Sequence, residues 1–346
     1  MELGIIALRG PASFRNQAEL ISKAARAEGY GVIDLDLASA VAGPPRWKWD
    51  KFIALIPLWR RYLMDMVRFT AWISRTHLIY GPVDGPFQMN IGLFQIMKNM
   101  NFCAPSKWCA RMITQSAEVP CSAVPHGIDH TNFKFSEDRV EAQRKVWLDG
   151  KKDKTILFSN LTPLHRKGFP HLCKALGILH ERLGSKFLMV LHTSLKTAKK
   201  HYPNLEKTPC LKIEDTYNTL PFRAIALKTV AADIYVNPSL QEGFGLTILE
   251  AMAAKTVVVT SDAPAVNELV SDKEGFIFPI TTVKQEKWAN GAIAHLHEYK
   301  PQSLADAMER AITEKALRKE KAAVAYQKSL SYDYRKVYHD LIALCD

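Results

Sequence analysis

Residues 231–262 read AADIYVNPSLQEGFGLTILEAMAAKTVVVTSD, and the reading of this stretch decides the fold. The run 233–236 has the β-branched and aromatic content of a buried strand, and Asn237-Pro238-Ser239 breaks it. Gly243 and Gly245 follow in the loop, where a missing Cβ lets backbone approach a ligand closely. Residues 246–254 are rich in strong helix formers, and 256–260 begin the next strand. A strand, a glycine loop and a helix in that order leave free N–H groups and the positive end of a helix dipole at the loop, a ready site for a phosphate. Glu242 lies in the loop and Glu250 in the helix, with seven residues between them, so both carboxylates can face one ligand. By pattern alone the segment also fits an ordinary βαβ unit with solvated acids.

Length and composition bound what surrounds this unit. The chain has 346 residues, which suits two domains, and 47% apolar with 23% charged residues describes a soluble globular protein. Cys103, Cys109, Cys121, Cys173, Cys210 and Cys345 form no CxxC pair and have no histidine spacing suited to zinc, so they read as reduced structural thiols. The opening MELGIIALRG lacks a basic region and a small-residue cleavage site, so it reads as a core strand of a cytoplasmic protein rather than a signal peptide. The net charge of +11 suits phosphate-bearing substrates, anionic lipid or nucleic acid; it divides as +5 over residues 1–135 and +6 over the rest, with no concentrated basic tail.

Before the central stretch, residues 3–8 read as a strand, 17–28 as a helix stopped by Gly29, and 31–37 as a second strand. Such a βαβ opening predicts an open parallel sheet with ligands at the carboxyl ends of its strands. Residues 51–73 are apolar and aromatic but contain Arg60, Arg61, Asp65 and Arg68, which excludes a transmembrane span. They read as helices packed on the first sheet, with Trp59 and Trp72 in the core; the alternative is a basic amphipathic face over 47–73 that touches a membrane surface. Strands are expected at 77–80, 102–106 and 122–125. The charge-dense segment 137–154 marks a boundary between a domain over 1–138 and a second over 139–330.

In the second domain, 155–159 reads as a strand, 160–168 (NLTPLHRKG) as a basic loop and 169–182 as a helix. Strands follow at 186–192 and 211–215, then a helix over 220–231. Beyond the central stretch come a helix over 263–270, a last strand over 275–279 and a helix over 301–329. Tyr334, Val337, Tyr338, Leu341 and Leu344 have the spacing of a closing helix.

The run PSLQEGFGLTILEAMAAKTVVVTSDAPAVNELV resembles the signature of retaining glycosyltransferase family 4, the glycosyl transferases group 1. VPHGID over 124–129 is similar to the family's VPNGID turn, with His126 in place of asparagine. NLTPLHRKG is similar to its GR…KG element, in which an arginine and a lysine hold the donor diphosphate; Asn160 stands where the arginine usually is, and Arg166 with Lys167 would supply the two charges. The likeness runs over roughly residues 124–280. It implies an α/β protein of the GT-B fold, with two Rossmann-like doubly wound parallel-sheet domains facing a central cleft. The first would bind the acceptor, the second the donor, and the closing helix over 331–346 would pack back on the first.

The same resemblance implies that Glu242 contacts the transferred sugar and Glu250 the ribose, with Gly243, Phe244, Gly245, Leu246, Thr247 and Asn160 around the nucleotide. Many members carry a histidine near the sugar at the end of the strand over 77–80, where this chain has Tyr80; His77, Asp84 and His126 are further candidates on the acceptor side. The expected activity is retaining transfer of a hexosyl group from a UDP- or GDP-sugar to a sugar, lipid-linked or glycan hydroxyl, with no cofactor. No metal is expected either, since the sequence shows no DxD-type acidic cluster suited to Mg²⁺ or Mn²⁺. The departures from the family pattern leave two alternatives, a catalytically degenerate sugar-nucleotide-binding protein and a glycosyltransferase whose acceptor is nucleic acid.

Overall fold

The computed structural model describes residues 1–8, 12–37, 49–58, 62, 77–83, 85–86, 98, 100–150, 154–288 and 293–345. They form two compact units, one of residues 1–129, 285–295 and 332–346 and the other of residues 130–284 and 296–331. The boundary expected at 138/139 falls inside the helix Glu137–Leu148, which belongs wholly to the second unit.

In the first unit, strands β1 (Glu2–Ala7), β2 (Gly31–Asp36), β3 (Lys51–Leu55), β4 (His77–Tyr80), β5 (Asn101–Ala104) and β6 (Cys121–Ala123) form one parallel sheet in the order β2-β1-β3-β4-β5-β6. The strand β3 corrects the expectation of helix from residue 51. All five residues of KFIAL are buried, and a central parallel strand covered on both faces reads as a continuous apolar run, which periodicity cannot separate from buried helix. Trp49, just before it, is core rather than a membrane-facing side chain and stacks on Phe52 with ring centroids 5.5 Å apart. Trp47, Trp59, Trp72, Arg60, Arg61, Asp65 and Arg68 lie outside the described residues. No helix among the described residues is long and apolar enough to cross a membrane.

The closing helix, Tyr334–Ala343, buries Val337, Tyr338, Leu341 and Ile342 in the same core as Ile5, Ile53 and Leu78. Its Tyr338 hydroxyl accepts from the Gly127 N–H at 3.0 Å and donates to the Gln17 side-chain oxygen. One phenol thus ties the last helix to the first helix, Ala12–Ala27, and to the VPHGID turn.

In the second unit, β7 (Thr155–Asn160), β8 (Phe187–His192), β9 (Leu211–Glu214), β10 (Ile234–Asn237), β11 (Val257–Ser261) and β12 (Gly275–Phe278) form a parallel sheet in the order β12-β11-β10-β7-β8-β9. Strand order reverses between β10 and β7. Right-handed crossovers then send the helix after β7 (Phe169–Leu183) and the helix after β10 (Leu246–Ala253) to opposite faces, and a crevice opens between the two loops. Consistent with that, Phe169–Leu183 packs on Pro301–Thr313, whereas Leu246–Ala253 packs on Phe222–Ala231 and Lys315–Ser329.

Three expectations are corrected here. The helix expected over 263–270 is reduced to the single turn Val266–Glu268. The helix expected over 301–329 is two, broken at Glu314, whose ψ of 62° leaves the helical range. The strand over 275–279 is not the last, because β13 (Thr282–Lys287) and β14 (Ile293–Glu298) pair as a separate two-stranded sheet.

Replacing Tyr338 with Phe strands the Gly127 N–H and the Gln17 side chain inside the core. The expected cost is about 1–3 kcal/mol, seen as a lower urea midpoint for unfolding of the first unit at unchanged far-UV circular dichroism.

Candidate active site

The crevice of the second unit is built by residues 161–168 after β7 and 238–245 after β10. These loops touch through backbone. Gly168 has φ +67°, and a Cβ there would fall 1.7 Å from the Pro238 carbonyl oxygen, so both its conformation and the space admit only glycine. The Leu240 N–H donates to the Arg166 carbonyl at 2.9 Å, lacing the single turn His165–Lys167 to the β10 loop.

That lacing brings the charged side chains together. Lys167 Nζ stands 2.6 Å from Glu242 Oε1, and Arg166 Nη1 donates to Gln241 Oε1 at 3.3 Å. The pair is mostly shielded from solvent, with side-chain exposures of 21% for Lys167 and 14% for Glu242. At this burial, loss of either partner leaves an uncompensated charge, unlike an exposed pair. Gly245, with φ +96°, is the N-cap of the Leu246–Ala253 helix, so the loop turns directly into the helix start with its N–H groups at the crevice.

Glu250 lies one turn into that helix. Burial pushes its carboxyl up to about 8, so it is protonated at neutral pH although its side chain is still partly open to solvent. Its neighbour Tyr235 is held above the usual phenol range, first by burial; the Thr247 hydroxyl meets the phenol and eases this, while Glu250 and Glu242, both ionised at the high pH where a phenol titrates, add to it. The crevice therefore has a charged side, Lys167, Arg166 and Glu242, and a neutral side, Tyr235, Thr247 and Glu250.

Asn160, at the end of β7, is in a polar chain that the sequence reading missed. Its Oδ1 lies 3.0 Å from His192 Nδ1, and His192 Nε2 lies 3.1 Å from the Thr216 hydroxyl. Desolvation holds the His192 imidazole below its usual range, so it is neutral. With the proton on Nδ1 it donates to Asn160 and accepts from Thr216. Alongside, the Thr162 and Tyr217 hydroxyls meet at 2.7 Å. The available signal was position, since Asn160 and His192 are the last residues of adjacent strands. Phe244, within the β10 loop, is buried between Gly243 and Gly245, and Leu246 starts the helix that follows.

Of the residues expected on the acceptor side, Asp84 lies outside the described residues, and His77 opens β4. Tyr80 and His126 are both inside the core of the first unit. The Tyr80 hydroxyl donates to the Val124 carbonyl at 3.0 Å and meets His126 Nδ1 at 2.8 Å. Burial lowers His126 to about 3 and raises Tyr80, so both stay neutral. In this arrangement the pair fastens the end of β4 to the VPHGID turn. Among the described residues, no group of three or more His, Cys, Asp or Glu side chains is placed to hold a metal ion.

Residues 153–314 match the family described as glycosyl transferases group 1. The chain is 65% identical over 37 residues to the lipopolysaccharide core biosynthesis mannosyltransferase LpcC of Rhizobium leguminosarum bv. viciae, which covers 11% of this chain and 10% of that protein. It is 27% identical over 179 residues to the lipopolysaccharide core biosynthesis mannosyltransferase LpsB of Rhizobium meliloti (strain 1021), covering 48% of each. The match thus spans about half of LpsB and a tenth of LpcC. Among solved structures, sucrose-phosphate synthase from Thermosynechococcus elongatus superposes with a TM-score of 0.76 at 13% identity, covering 99% of this chain and 98% of that one. Anabaena Alr3699/HepE in complex with UDP and glucose gives a TM-score of 0.70 at 14% identity, covering 99% and 98%. The likeness is one of fold, and the fold of two doubly wound sheets is GT-B.

Between ~4.3, where an unfolded glutamate titrates, and about 8 the folded chain keeps a proton on Glu250 that the unfolded chain has lost. Stability conferred on the wild type therefore falls as pH rises through that window. The Glu250→Gln variant lacks this contribution, so its thermal midpoint relative to wild type is expected to climb steadily between pH 5 and pH 8 in matched scans. Gly168→Ala is expected to cost at least ~1–3 kcal/mol, read from the denaturant midpoint of the second unit.

Proposed function

We propose that this chain, whose second unit is a glycosyl transferases group 1 domain, moves a hexosyl group from a nucleoside diphosphate sugar to a hydroxyl of a glycan or lipid-linked acceptor, with retention at the anomeric carbon. One observation carries the reading: a cation and a carboxylate, Lys167 and Glu242, meet at 2.6 Å where two loops converge on the crevice of a doubly wound sheet. A glycosyl phosphate has its anionic oxygens next to its sugar hydroxyls, so adjacent groups of opposite charge match its two halves. On donor binding a phosphate oxygen takes the place of the Glu242 carboxylate at Lys167 Nζ. The carboxylate is then released to accept from sugar hydroxyls, as charge-assisted bonds favour.

In the transfer, the bond from the anomeric carbon to the phosphate oxygen breaks and its electron pair stays on the phosphate. The acceptor oxygen bonds to the anomeric carbon on the same face, and its proton passes to the departing phosphate oxygen. Arg166, Lys167 and the N–H groups at the start of Leu246–Ala253 answer the developing negative charge, each worth roughly 2–4 kcal/mol in comparable sites. With these cations in place the reaction is expected to proceed without a divalent metal. A double displacement through two carboxylates fits poorly, because Glu250, held protonated up to about 8, is a weak nucleophile; its carboxyl suits the ribose hydroxyls instead.

The curated relatives are mannosyltransferases of lipopolysaccharide core biosynthesis, which supports mannose as the first sugar to test and a lipid-linked core oligosaccharide as the acceptor. A second reading, sugar-nucleotide binding without turnover, is favoured by one observation. Tyr80, at the strand end where the family resemblance calls for a histidine, has 0% exposure and a hydroxyl already bonded in the core.

A donor panel of GDP-mannose, UDP-glucose and UDP-N-acetylglucosamine with a truncated lipopolysaccharide core, read by mass spectrometry in the presence of EDTA, separates these readings. Glu242→Ala and Lys167→Ala are each expected to lower kcat/KM by ~100-fold or more. Unchanged activity in both refutes the site, and calorimetric nucleotide binding without any transfer or hydrolysis establishes the second reading.

A further inference from the structure

Glu242 is on a loop, and loops carry function only where something fixes them. What fixes this one is a strand beyond the one over 275–279 that the sequence suggests as the last. Strand β14 and its exit take two alternate carbonyls of residues 238–241. The His297 N–H donates to the Leu240 carbonyl at 2.7 Å, and His297 Nδ1 lies 3.2 Å from the same oxygen. Two residues on, the Tyr299 hydroxyl donates to the Pro238 carbonyl at 2.5 Å. In an extended strand residues i and i+2 point the same way, so His297 and Tyr299 reach the loop from one side.

Both side chains are buried. The Tyr299 ring is wedged between Phe278, with centroids 4.6 Å apart, and His171, at 4.9 Å, and His171 Nε2 in turn stands 3.4 Å from Glu298 Oε2. The Pro238 oxygen that Tyr299 holds is the one that closes over Gly168. The Leu240 peptide is held at both ends, by His297 at its oxygen and by the Arg166 carbonyl at its N–H. Two residues further along the chain is Glu242.

We infer that Tyr299 and His297 are positioning residues, which act through the Pro238 and Leu240 carbonyls to hold Glu242 against Lys167 and aim it at the donor sugar. The assignment rests on the reading of Glu242 given above. A reacting group must be held within about 0.5 Å of its working position, and a loop tethered only at its ends does not meet that requirement. The ribose end of the proposed site, Glu250 and Thr247, sits in a helix outside this clamp. Loosening the clamp should therefore slow turnover more than it weakens nucleotide binding.

Tyr299→Phe removes one hydroxyl and keeps the ring; His297→Ala is the second variant. Hydrogen exchange of the ligand-free protein tests the clamp whether or not any donor has been found. The Leu240 amide and its neighbours in 238–242 are expected to exchange about five-fold faster in Tyr299→Phe, the usual effect of losing one buried hydrogen bond, while β10 and β11 keep their protection. With the donor identified, kcat is expected to fall about ten-fold, with the donor KM and the Kd of the free nucleotide within about two-fold. Unchanged exchange over 238–242 in both variants overturns the inference, as does a loss expressed in KM and nucleotide Kd at unchanged kcat. Wild-type protein that binds no nucleotide, yet shows faster loop exchange in the variants, upholds the clamp and refutes the proposed function instead.

Discussion

The reversal of strand order between β10 and β7 sets the geometry from which the rest of the second unit follows. Two neighbouring parallel strands whose crossovers leave in opposite directions cannot bury the loops at their carboxyl ends under a common helix. The loops diverge and a crevice remains. Here the loops contribute opposite charges to that crevice, Arg166 and Lys167 from β7 and Glu242 from β10, and a backbone contact at Gly168 and Pro238 keeps them in register. A side chain at Gly168 would separate the loops, so the ion pair depends on that glycine as much as on its own charges.

The division into a charged and a neutral side follows from pairing and burial. Lys167 and Glu242 meet each other at 2.6 Å, whereas burial raises the Glu250 carboxyl to about 8 and lifts the Tyr235 phenol further above its usual range. A diphosphate needs positive charge at one end, and ribose hydroxyls need uncharged or singly bonded partners at the other. The same sequence motif supplies both because its loop half faces the crevice and its helical half is packed against β10.

In the first unit the turn VPHGID and the end of β4 are joined by buried hydrogen bonds. Tyr80 bonds His126, and the next residue in the chain, Gly127, bonds Tyr338, so two hydrogen bonds joined by one peptide link run through the core, and burial keeps Tyr80 and His126 neutral. Residue type suggested chemistry at these positions, but a phenol and an imidazole with their polar atoms matched to each other and to backbone satisfy the buried-polar requirement equally well.

The sequence by itself determined the elements whose signals are local. The glycine loop, the helix from Leu246, both glutamates, the basic turn before Phe169 and the closing helix are all legible because spacing, breakers and helix formers act within a turn or two. Only tertiary structure decided what depends on neighbours distant in the chain. KFIAL is a strand because β1 and β4 flank it, and its composition suits a buried helix as well. Tyr80 is core because His126 and Val124 meet its hydroxyl. The pairing of Lys167 with Glu242, the His192 bridge from Asn160 to Thr216, and the grip of Tyr299 on Pro238 join residues 75, 32, 24 and 61 positions apart. No periodicity encodes such contacts; those of Lys167 and His192 exist because a twisted parallel sheet brings the carboxyl ends of its strands to one edge, and that of Tyr299 because the exit of β14 meets the β10 loop.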